Sequence, residues 1–316
     1  MKKALIIGGA GFVGGYLIDC IRESRGWAVT ATKMAGESLS REGICVCDLD
    51  ILDGGAAAEL LERERPDYIF HLAAQSSVAL SWKKPDLTAD VNIKGTLHVL
   101  EAVRGLDYRP RLLLIGSGEE YGRVRPQEIP IGEENALRPG NLYAATKACQ
   151  NMMGRIYAEA YGMDVMSVRA FNHIGPSQAP LFVAADFCRQ VAQIERGERE
   201  PVIRTGNLSA RRDFTDVRDV VRAYVLLMEH GRAGETYNVG SGKAILVQEL
   251  LDMILSLAEK EIRVETDAER LRPVDVPVIE ADISKLRECC GWEREIPLKR
   301  TLEETLNYWR HYGQKS

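Results

Sequence analysis

The sequence predicts an α/β fold, in which a doubly wound parallel sheet is followed by a smaller C-terminal α/β lobe. Segments with the apolar pattern of strands alternate with segments at helical spacing through the first two thirds of the 316 residues. Such alternation is typical of a parallel sheet with helices on both faces. In the last third the alternation weakens, and loops, helices and a proline-rich stretch are mixed. We infer a discontinuous second lobe there.

Each predicted element rests on its local pattern. Short apolar runs predict strands, apolar residues at helical spacing predict helices, and the helix before Pro66 is expected to end ahead of it. The predicted strands are residues 4–7, 28–32, 44–47, 68–72, 111–115 and 164–169, and the predicted helices are 14–22, 56–63, 91–103 and 143–160. Beyond these we expect a helix near 187–195, a return of 217–227 and 235–239 to the sheet, a helix from 248, a proline-rich loop at 271–277 and a final helix at 302–309.

Composition and charge exclude several classes of protein. Hydrophobic residues make up 45% of the chain and charged residues 28%, which is the composition of a folded globule. The formal net charge is −5 and there is no long basic run, so no nucleic-acid partner is expected. The seven cysteines follow no metal-ligand spacing. We therefore expect reduced thiols, a cytoplasmic location and no metal site.

The N-terminal segment superficially resembles a signal peptide, because Lys2 and Lys3 precede an uncharged run over residues 4–18. Five glycines in that run weaken such a helix and favour a strand followed by a turn. No other stretch reaches the ~20 apolar residues that span a bilayer. No membrane partner is therefore expected.

A glycine-rich turn lies between the first predicted strand and the first predicted helix. Its glycines are Gly8, Gly11 and Gly14, and Phe12 and Val13 stand where the helix begins. Such glycines allow a tight turn and a close backbone approach to a pyrophosphate, while the helix N-terminus attracts the anion. The turn predicts a dinucleotide-binding domain over residues 1–170, to which 206–240 return. Residues 171–205 and 241–316 are then expected to form a substrate lobe.

The end of the second strand bears on the choice between NAD and NADP. An acidic residue about 20 positions after the glycines would bind the ribose hydroxyls of NAD. Lys33 stands there instead and favours the 2′-phosphate of NADP. The alternative is a surface lysine with Glu37 reaching back to the ribose, which keeps NAD open. After the third strand, Asp48 and Leu49 are expected at the adenine, unless Asp48 only caps the strand.

The segment after the fourth strand is predicted to line the nicotinamide side of the cofactor. Small and apolar residues there would let the cofactor lie against the backbone, and these residues are Leu72, Ala73 and Ala74. The polar residues Gln75 and Ser76 follow directly and are expected to contact the substrate.

A tyrosine and a lysine four residues apart begin the long helix at 143–160. This spacing places Tyr143 and Lys147 on one face. A phenol titrates near pH ~10 in water, and a neighbouring ammonium would lower the pKa of Tyr143 and make it a workable acid or base. Ser117 follows an apolar strand, where its hydroxyl could hold a substrate oxygen. These three residues are the predicted catalytic group.

The glycine turn, Ser117 and the Tyr143-x-x-x-Lys147 pair resemble the extended short-chain dehydrogenase/reductase family, and the resemblance covers nearly the whole chain. It implies a Rossmann sheet with a small C-terminal lobe for the sugar nucleotide. It also implies an epimerase, dehydratase or reductase of nucleotide-linked sugars, and a homodimer that pairs through the helices at 91–103 and 143–160.

Finer motifs at 118–122, 171–176 and 211–219 resemble the GDP-6-deoxy-4-keto-D-mannose reductases, with the GDP-mannose 4,6-dehydratases next. By that resemblance Asn172 would contact the diphosphate and sugar, and Arg212 would bind the diphosphate. Arg272 and Asp275 would hold phosphate and ribose, as guanidinium and carboxylate groups can. Glu119 stands where the dehydratases carry a base, and the reductase pattern has glutamate there too.

The resemblance implies NADPH-dependent reduction of a 4-keto group, with GDP-4-keto-6-deoxy-D-mannose giving GDP-D-rhamnose as the best match. Tyr143 would protonate the oxygen, Ser117 would orient it, and Lys147 would also fix the nicotinamide ribose. The alternatives are a GDP-mannose 4,6-dehydratase, a UDP-sugar 4-epimerase and, in a different class, a non-catalytic NADP-binding sensor.

Overall fold

The computed structural model describes residues 1–270 and 276–312. In chain order the strands are β1 (Lys3–Ile7), β2 (Ala28–Lys33), β3 (Cys45–Asp48), β4 (Tyr68–His71), β5 (Arg111–Ser117), β6 (Val165–Ala170), β7 (Asn172–Ile174), β8 (Val202–Thr205), β9 (Arg211–Asp216), β10 (Thr236–Val239), β11 (Ala244–Leu246), β12 (Arg263–Thr266) and β13 (Val278–Ile279). The helices are α1 (Phe12–Arg25), α2 (Gly54–Glu64), α3 (Val78–Lys83), α4 (Pro85–Ala89), α5 (Thr96–Arg104), α6 (Leu142–Tyr161), α7 (Val183–Glu195), α8 (Val217–His230), α9 (Val247–Leu255), α10 (Ser284–Cys290) and α11 (Leu298–Tyr312).

A seven-stranded sheet forms the centre of the larger lobe. Its order is β3-β2-β1-β4-β5-β6-β10, and every neighbouring pair is parallel. Successive side chains of a strand point to opposite faces. In β1, Ala4 and Ile6 accordingly pack with α1 and α8, whereas Leu5 and Ile7 pack with α2 and α5. The predicted doubly wound parallel sheet is confirmed, and its strand order reverses at β1 and β4 as in a Rossmann fold.

A smaller lobe follows the sheet. Its strand β9 pairs antiparallel with β11 and parallel with β13 and β7, while β8 pairs parallel with β12. Helices α7, α9 and α11 enclose a separate apolar core that includes Phe187, Leu250 and Leu306. This core gives the smaller lobe its own packing.

The segment predicted to return to the sheet divides at Val217. Helix α8 lies on one face of the large sheet and β10 forms its edge. Strand β9 lies in the predicted range 206–240 but pairs only with strands of the smaller lobe. The hydrophobic pattern could not show this, because a short strand carries no information about which sheet accepts it.

The predicted helix at 91–103 begins as a π-helical turn, Asp90–Gly95, and becomes α-helical only at Thr96. The hydroxyl of Thr96 donates to the Asn92 carbonyl at 2.8 Å, and the Asn92 side chain is bonded to the backbone of Gln75. Such side-chain contacts compete with the regular helical ladder. The wide turn therefore ties this helix to the loop that follows β4.

Candidate active site

Most of the predicted site residues lie at one edge of the large sheet. They follow the carboxyl ends of β1, β2, β3, β4 and β5, and α6 begins beside the end of β5. In open α/β sheets, ligands bind at this edge, where the strand order reverses. The topology thus brings together residues that are more than a hundred positions apart in the chain.

The turn after β1 is built on glycines that no other residue could replace without a shift. Gly8 has a φ of +87°, and a Cβ atom there would lie 2.7 Å from the amide nitrogen of Ala73. A Cβ atom on Gly14 would lie 2.3 Å from the carbonyl oxygen of Gly9. The absence of a side chain at Gly8 and Gly14 therefore lets the end of β1 approach the segment after β4 and lets α1 pack closely against the turn.

The N-terminus of α1 fits a dinucleotide pyrophosphate. The N-cap residue of this helix is Gly11, so among the described residues no side chain caps it. The first turn of the helix also has no acidic residue. The unpaired N–H groups and the helix dipole there attract an anion. Phe12 stacks on His173 with ring centroids 6.2 Å apart, and Val13 packs against the core. The five predicted residues of this turn therefore form a cradle suited to NAD(P).

We expect Gly14→Ala to destabilise the free protein by about 1–3 kcal/mol, the range for overpacking. The added methyl group would collide with the Gly9 carbonyl, 2.3 Å away. Gly11→Ala is the matched control, because a Cβ atom there would lie 3.5 Å from the Gly8 carbonyl oxygen. Urea unfolding without ligand measures both variants. If Gly14→Ala unfolded at the wild-type urea concentration, the close packing of this turn would be wrong.

Lys33 and Asp48, both predicted at the cofactor, form an ion pair with each other. The Lys33 ammonium lies 2.5 Å from the Asp48 carboxylate, and the two residues face each other across β2 and β3. Leu49 is buried beside them. The Glu37 carboxylate accepts from the Met34 amide at 2.9 Å, so it closes a local turn.

A further cation that the sequence analysis did not select lies near this turn. The Arg41 guanidinium lies 3.3 Å from the Asp19 carboxylate of α1. A Cβ atom on Gly15 would lie 3.2 Å from its terminal nitrogen, which places the guanidinium against the first turn of that helix. No sequence motif marks Arg41, because the loop between β2 and β3 has no fixed geometry.

The segment after β4 holds its own conformation. The amides of Leu72 and Ala73 both donate to the Ile7 carbonyl at 2.9 Å, and Ala74 follows them, half-buried. The Gln75 side chain donates to the Ser77 carbonyl and to Thr88, so it stabilises this loop. The Gln75 side chain is thus bonded within the loop, whereas a substrate contact was predicted. The reason is that the polar groups of a half-buried loop need hydrogen-bond partners. Ser76 is exposed.

Ser117, Tyr143 and Lys147 are brought together where β5 ends and α6 begins. The Ser117 hydroxyl accepts from the Glu119 amide at 3.2 Å, and it also hydrogen-bonds with the Tyr143 phenol. Asn141 starts α6, because its side chain accepts from the Ala144 amide at 2.8 Å. The cap fixes the first turn of the helix, and with it the position of Tyr143.

The Lys147 ammonium is buried and bonded to the strand below it. It donates to the Ile115 carbonyl at 2.7 Å and to the Gln150 side chain at 3.0 Å. Burial lowers the pKa of Lys147 to about 8, and the nearby Glu120 carboxylate opposes that shift. Near neutral pH the lysine therefore remains mostly charged, although it loses its proton far more easily than a surface lysine.

The prediction that Lys147 lowers the pKa of Tyr143 is wrong for the free protein. Burial raises the pKa of Tyr143, the Ser117 hydrogen bond opposes this, and the charges of Glu119 and Glu120 add to the increase. The physical reason is that the Lys147 ammonium is directed at Ile115 and Gln150. The free protein holds Tyr143 as a neutral phenol.

Glu119 lies at the same edge of the sheet, half-buried, on the 3-10 turn Gly118–Tyr121. Its carboxylate accepts from the Asn141 side chain at 3.3 Å. Its charge influences the pKa of Tyr143, as expected for a group close to the phenol. The geometry thus brings Glu119 to the catalytic group, as the motif predicts.

Asn172 and Arg212, two of the predicted substrate residues, lie on the paired strands β7 and β9. Asn172 is exposed at the start of β7. Arg212 is buried and donates to the Val276 carbonyl at 2.7 Å, beside the predicted proline-rich loop. Arg272 and Asp275 lie outside the described residues.

The described part of the chain contains no cluster of histidine, cysteine or acidic residues that could hold a metal ion. Within the same residues, no helix has the length and apolar character that crossing a bilayer requires.

His71 is buried at the end of β4, and burial lowers its pKa to about 3, so it is neutral.

Sequence reasoning missed Asn141, Gln150 and Glu120. Asn141 could have been found, because asparagine directly before a helical pattern is a preferred N-cap. Gln150 also had a signal, since it stands one helical turn after Lys147. Glu120 had none, because nothing in the sequence indicates that this acidic residue is fully buried.

Comparison with known proteins agrees with this geometry. A family model described as GDP-mannose 4,6 dehydratase matches residues 5–305. The GDP-6-deoxy-D-mannose reductase of Pseudomonas aeruginosa is 34% identical over 260 residues, which cover 82% of this chain and 85% of that protein. The GDP-mannose 4,6-dehydratase of Yersinia enterocolitica is 30% identical over 351 residues, with 97% of this chain and 93% of that protein covered.

Among solved structures, RMD from Pseudomonas aeruginosa complexed with NADPH has a TM-score of 0.88 with this chain. The two are 31% identical, and the match covers 98% of this chain and 99% of that one. The relatives thus include both a reductase and a dehydratase.

Proposed function

Because the chain belongs to the GDP-mannose 4,6-dehydratase family, within the extended short-chain dehydrogenases/reductases, we propose that it reduces the C4 keto group of a nucleotide-linked 4-keto-6-deoxy sugar. The best candidate reaction converts GDP-4-keto-6-deoxy-D-mannose to GDP-D-rhamnose with NADPH. The chain is an NAD(P)-dependent nucleotide-sugar enzyme, as its family members are. Within that family, the choice of reductase rests on the 34% identity with the Pseudomonas aeruginosa reductase over 82% of this chain.

The protonation state of Tyr143 is compatible with the proposal. Burial raises the pKa of this phenol, so the free protein presents a proton donor that is hydrogen-bonded with Ser117. Reduction of a ketone requires a proton donor at the oxygen. Tyr143 therefore meets the requirement of a reductase, and the similarity to the Pseudomonas aeruginosa reductase supports that choice within the family.

Each residue of the catalytic group has a role that follows from its contacts. A bound NADPH would supply the hydride. Tyr143 would give its proton to the C4 oxygen, and Ser117 would hold that oxygen through its hydroxyl. The Lys147 ammonium, held by the Ile115 carbonyl, would fix the nicotinamide ribose and would add a positive charge to the site where negative charge develops. Arg212 remains the predicted contact of the diphosphate, and Arg272 and Asp275 remain the predicted contacts of phosphate and ribose.

The proposal is tested by following NADPH and NADH absorbance with GDP-4-keto-6-deoxymannose, made in place from GDP-mannose by a separate dehydratase. Prompt oxidation, faster with NADPH, is the expected result. Absence of oxidation with both cofactors would overturn the reductase. A GDP-mannose-only reaction in the same series shows whether the chain itself forms the keto sugar.

The cofactor preference is expected to depend on Lys33. Its ammonium stands at the end of β2, where the Lys33 side chain is 20% exposed, and a 2′-phosphate would replace Asp48 as its partner. We expect Lys33→Met to lower kcat/KM for NADPH about fivefold, equivalent to about 1 kcal/mol for a partly exposed ion pair, and to leave that for NADH unchanged. An equal loss with both cofactors would mean that Lys33 only holds β2 to β3.

A GDP-mannose 4,6-dehydratase is the second candidate. It is favoured by Glu119, which lies beside Tyr143 and Asn141 and could act as a base. A dehydratase returns its cofactor to the starting state, so it would convert GDP-mannose without net loss of NADPH. A UDP-sugar 4-epimerase would likewise show no net change, and a cofactor-binding sensor would show no turnover.

We also propose a homodimer in a reducing, cytoplasmic setting. On α6, Met152 and Ile156 are 59% and 53% exposed, whereas Met153 and Tyr157 pack against the sheet. Such exposed apolar side chains on one helix favour an interface. All seven cysteines, each within the described residues, are free thiols. Light scattering of the purified protein tests the dimer, and a monomer mass would contradict it.

A further inference from the structure

A buried carboxylate lies directly behind the catalytic group. Glu120 belongs to the 3-10 turn after β5, and its side chain is completely buried. One of its oxygens accepts from the Ser117 amide at 2.8 Å, and the other accepts from the Arg169 guanidinium at 3.0 Å. A buried charge is tolerated only when it is paired and hydrogen-bonded, and both conditions are met here.

The strand residue before Ser117 is shaped around this carboxylate. A Cβ atom on Gly116 would collide with the Glu120 carboxylate oxygen and would lie 2.6 Å from the Val168 carbonyl oxygen. Any larger residue at position 116 would therefore displace the Glu120 side chain. Position 116 is glycine because a side chain there would occupy the space of the Glu120 carboxylate.

Glu120 is anchored by Arg169 of the neighbouring strand β6. Arg169 also donates to the Tyr121 hydroxyl at 2.9 Å and to the Glu133 carbonyl at 3.0 Å. Tyr121 in turn donates to the Asn238 side chain at 2.7 Å. The carboxylate is thus held by a chain of buried polar groups that reaches β10, and its position does not depend on solvent.

We propose that Glu120 is a positioning residue, which holds Ser117 in place and provides the buried negative charge opposite Lys147. Burial raises the pKa of Glu120, but the Arg169 and Lys147 charges oppose that rise, and both Glu120 oxygens face N–H donors, which fits the ionised carboxylate. Lys147 bonds the Ile115 carbonyl and Glu120 bonds the Ser117 amide, so both side chains are bonded to the last three residues of β5.

Among the described residues, Glu120 is the main negative charge near the Lys147 ammonium. The Glu120 carboxylate raises the pKa of Lys147 against the effect of burial. His71, from β4, is neutral because its pKa is lowered to about 3. Tyr143, on the same helix, is a neutral phenol. Arg169 is positive, but it is paired with Glu120.

Two substitutions separate the two roles. Glu120→Gln can still accept from the Ser117 amide but removes the charge, so the alkaline limb of the kcat/KM profile should move to lower pH by about one unit. Glu120→Asp keeps the charge but is too short to reach Ser117, so kcat should fall about tenfold, with KM and the limb nearly unchanged. If the alkaline limb of the kcat/KM profile stayed at the wild-type pH in Glu120→Gln as well as in Glu120→Asp, the counter-charge role would be wrong. If Glu120→Asp kept the wild-type kcat, the role of Glu120 in positioning Ser117 would be wrong.

Glu195→Gln is the matched control. Glu195 is also a buried carboxylate that is paired with an arginine, Arg310 at 2.8 Å, and it accepts the backbone amide of Glu259 at 2.9 Å. It lies in the smaller lobe, so its variant should lose stability without a change in the pH profile. A shifted limb in Glu195→Gln would show that the shift reports general destabilisation, and would also overturn the proposal.

The pH profile rests on the proposed reductase assay, so a second readout is independent of turnover. The titration of Lys147 can be followed by NMR of lysine labelled at Cε, with Lys147→Met to assign the signal. A lower pKa of Lys147 in Glu120→Gln is expected even if the substrate assignment fails. An unchanged lysine titration would overturn the counter-charge role whatever the wild-type enzyme does with NADPH.

Discussion

Replacing Tyr143 with phenylalanine should abolish ketone reduction while NADPH still binds. The phenol is the only group hydrogen-bonded with Ser117 that can give a proton to the substrate oxygen, among the residues that the structure describes. General acid catalysis contributes about 10²–10⁴-fold, so we expect kcat to fall by that factor. The ring of Tyr143 remains in its buried position, and the cofactor cradle at Gly8 and Gly14 is untouched.

Tyr224→Phe is the control for this experiment. Tyr224 is also a buried phenol close to Tyr143, but its hydroxyl has no hydrogen-bond partner among the described residues. Removing an unpaired buried hydroxyl costs little stability, so this variant should retain wild-type kcat. Single-turnover NADPH oxidation and NADPH fluorescence titration measure the two effects separately. Full activity in Tyr143→Phe would mean that another group donates the proton, and the role given to Tyr143 would be wrong.

Replacing Lys147 with methionine should lower kcat/KM about 10²–10³-fold and remove the alkaline limb of the pH profile. The ammonium is lost, and with it the positive charge beside the developing oxyanion. In the wild type the pKa of Lys147 is about 8. The ammonium form therefore predominates below pH 8, and kcat/KM should fall as the pH rises through that value.

Lys260→Met is the control, because Lys260 donates to the Ile194 carbonyl at 2.9 Å in the smaller lobe, as Lys147 does to Ile115. It should change neither kcat/KM nor its pH dependence. A limb near pH 8 that persisted in Lys147→Met would assign the titration to another group. In that case the role given to the ammonium would be wrong.

The cofactor turn and the catalytic helix could be predicted because their geometry is local. Gly8, Gly11 and Gly14 belong to a strand, a turn and a helix that are consecutive in sequence, and within that unit the Gly9 backbone leaves no room for a side chain at Gly14. Tyr143 and Lys147 share a helix face because four residues complete about one turn. Neither conclusion required knowledge of how the rest of the chain folds.

The pairing of distant charges could not be predicted. Lys33 and Asp48 were each assigned to the cofactor, yet they meet across neighbouring strands because β2 and β3 are in register at those positions. The register of parallel strands depends on the whole sheet. A sequence pattern therefore identified two suitable residues and missed that they neutralise one another.

The sequence by itself determined the fold class, and it predicted the dinucleotide turn and the catalytic side chains. Only the tertiary structure decided how the surroundings of those side chains shift their pKa values. Burial raises the pKa of Tyr143, and the Lys147 ammonium is bonded to Ile115 rather than directed at Tyr143. Desolvation and Coulombic interactions act through space, so they depend on which distant segments surround a group. The burial of Glu120 between Ser117 and Arg169 is the clearest instance, because three separate parts of the chain must meet to create it.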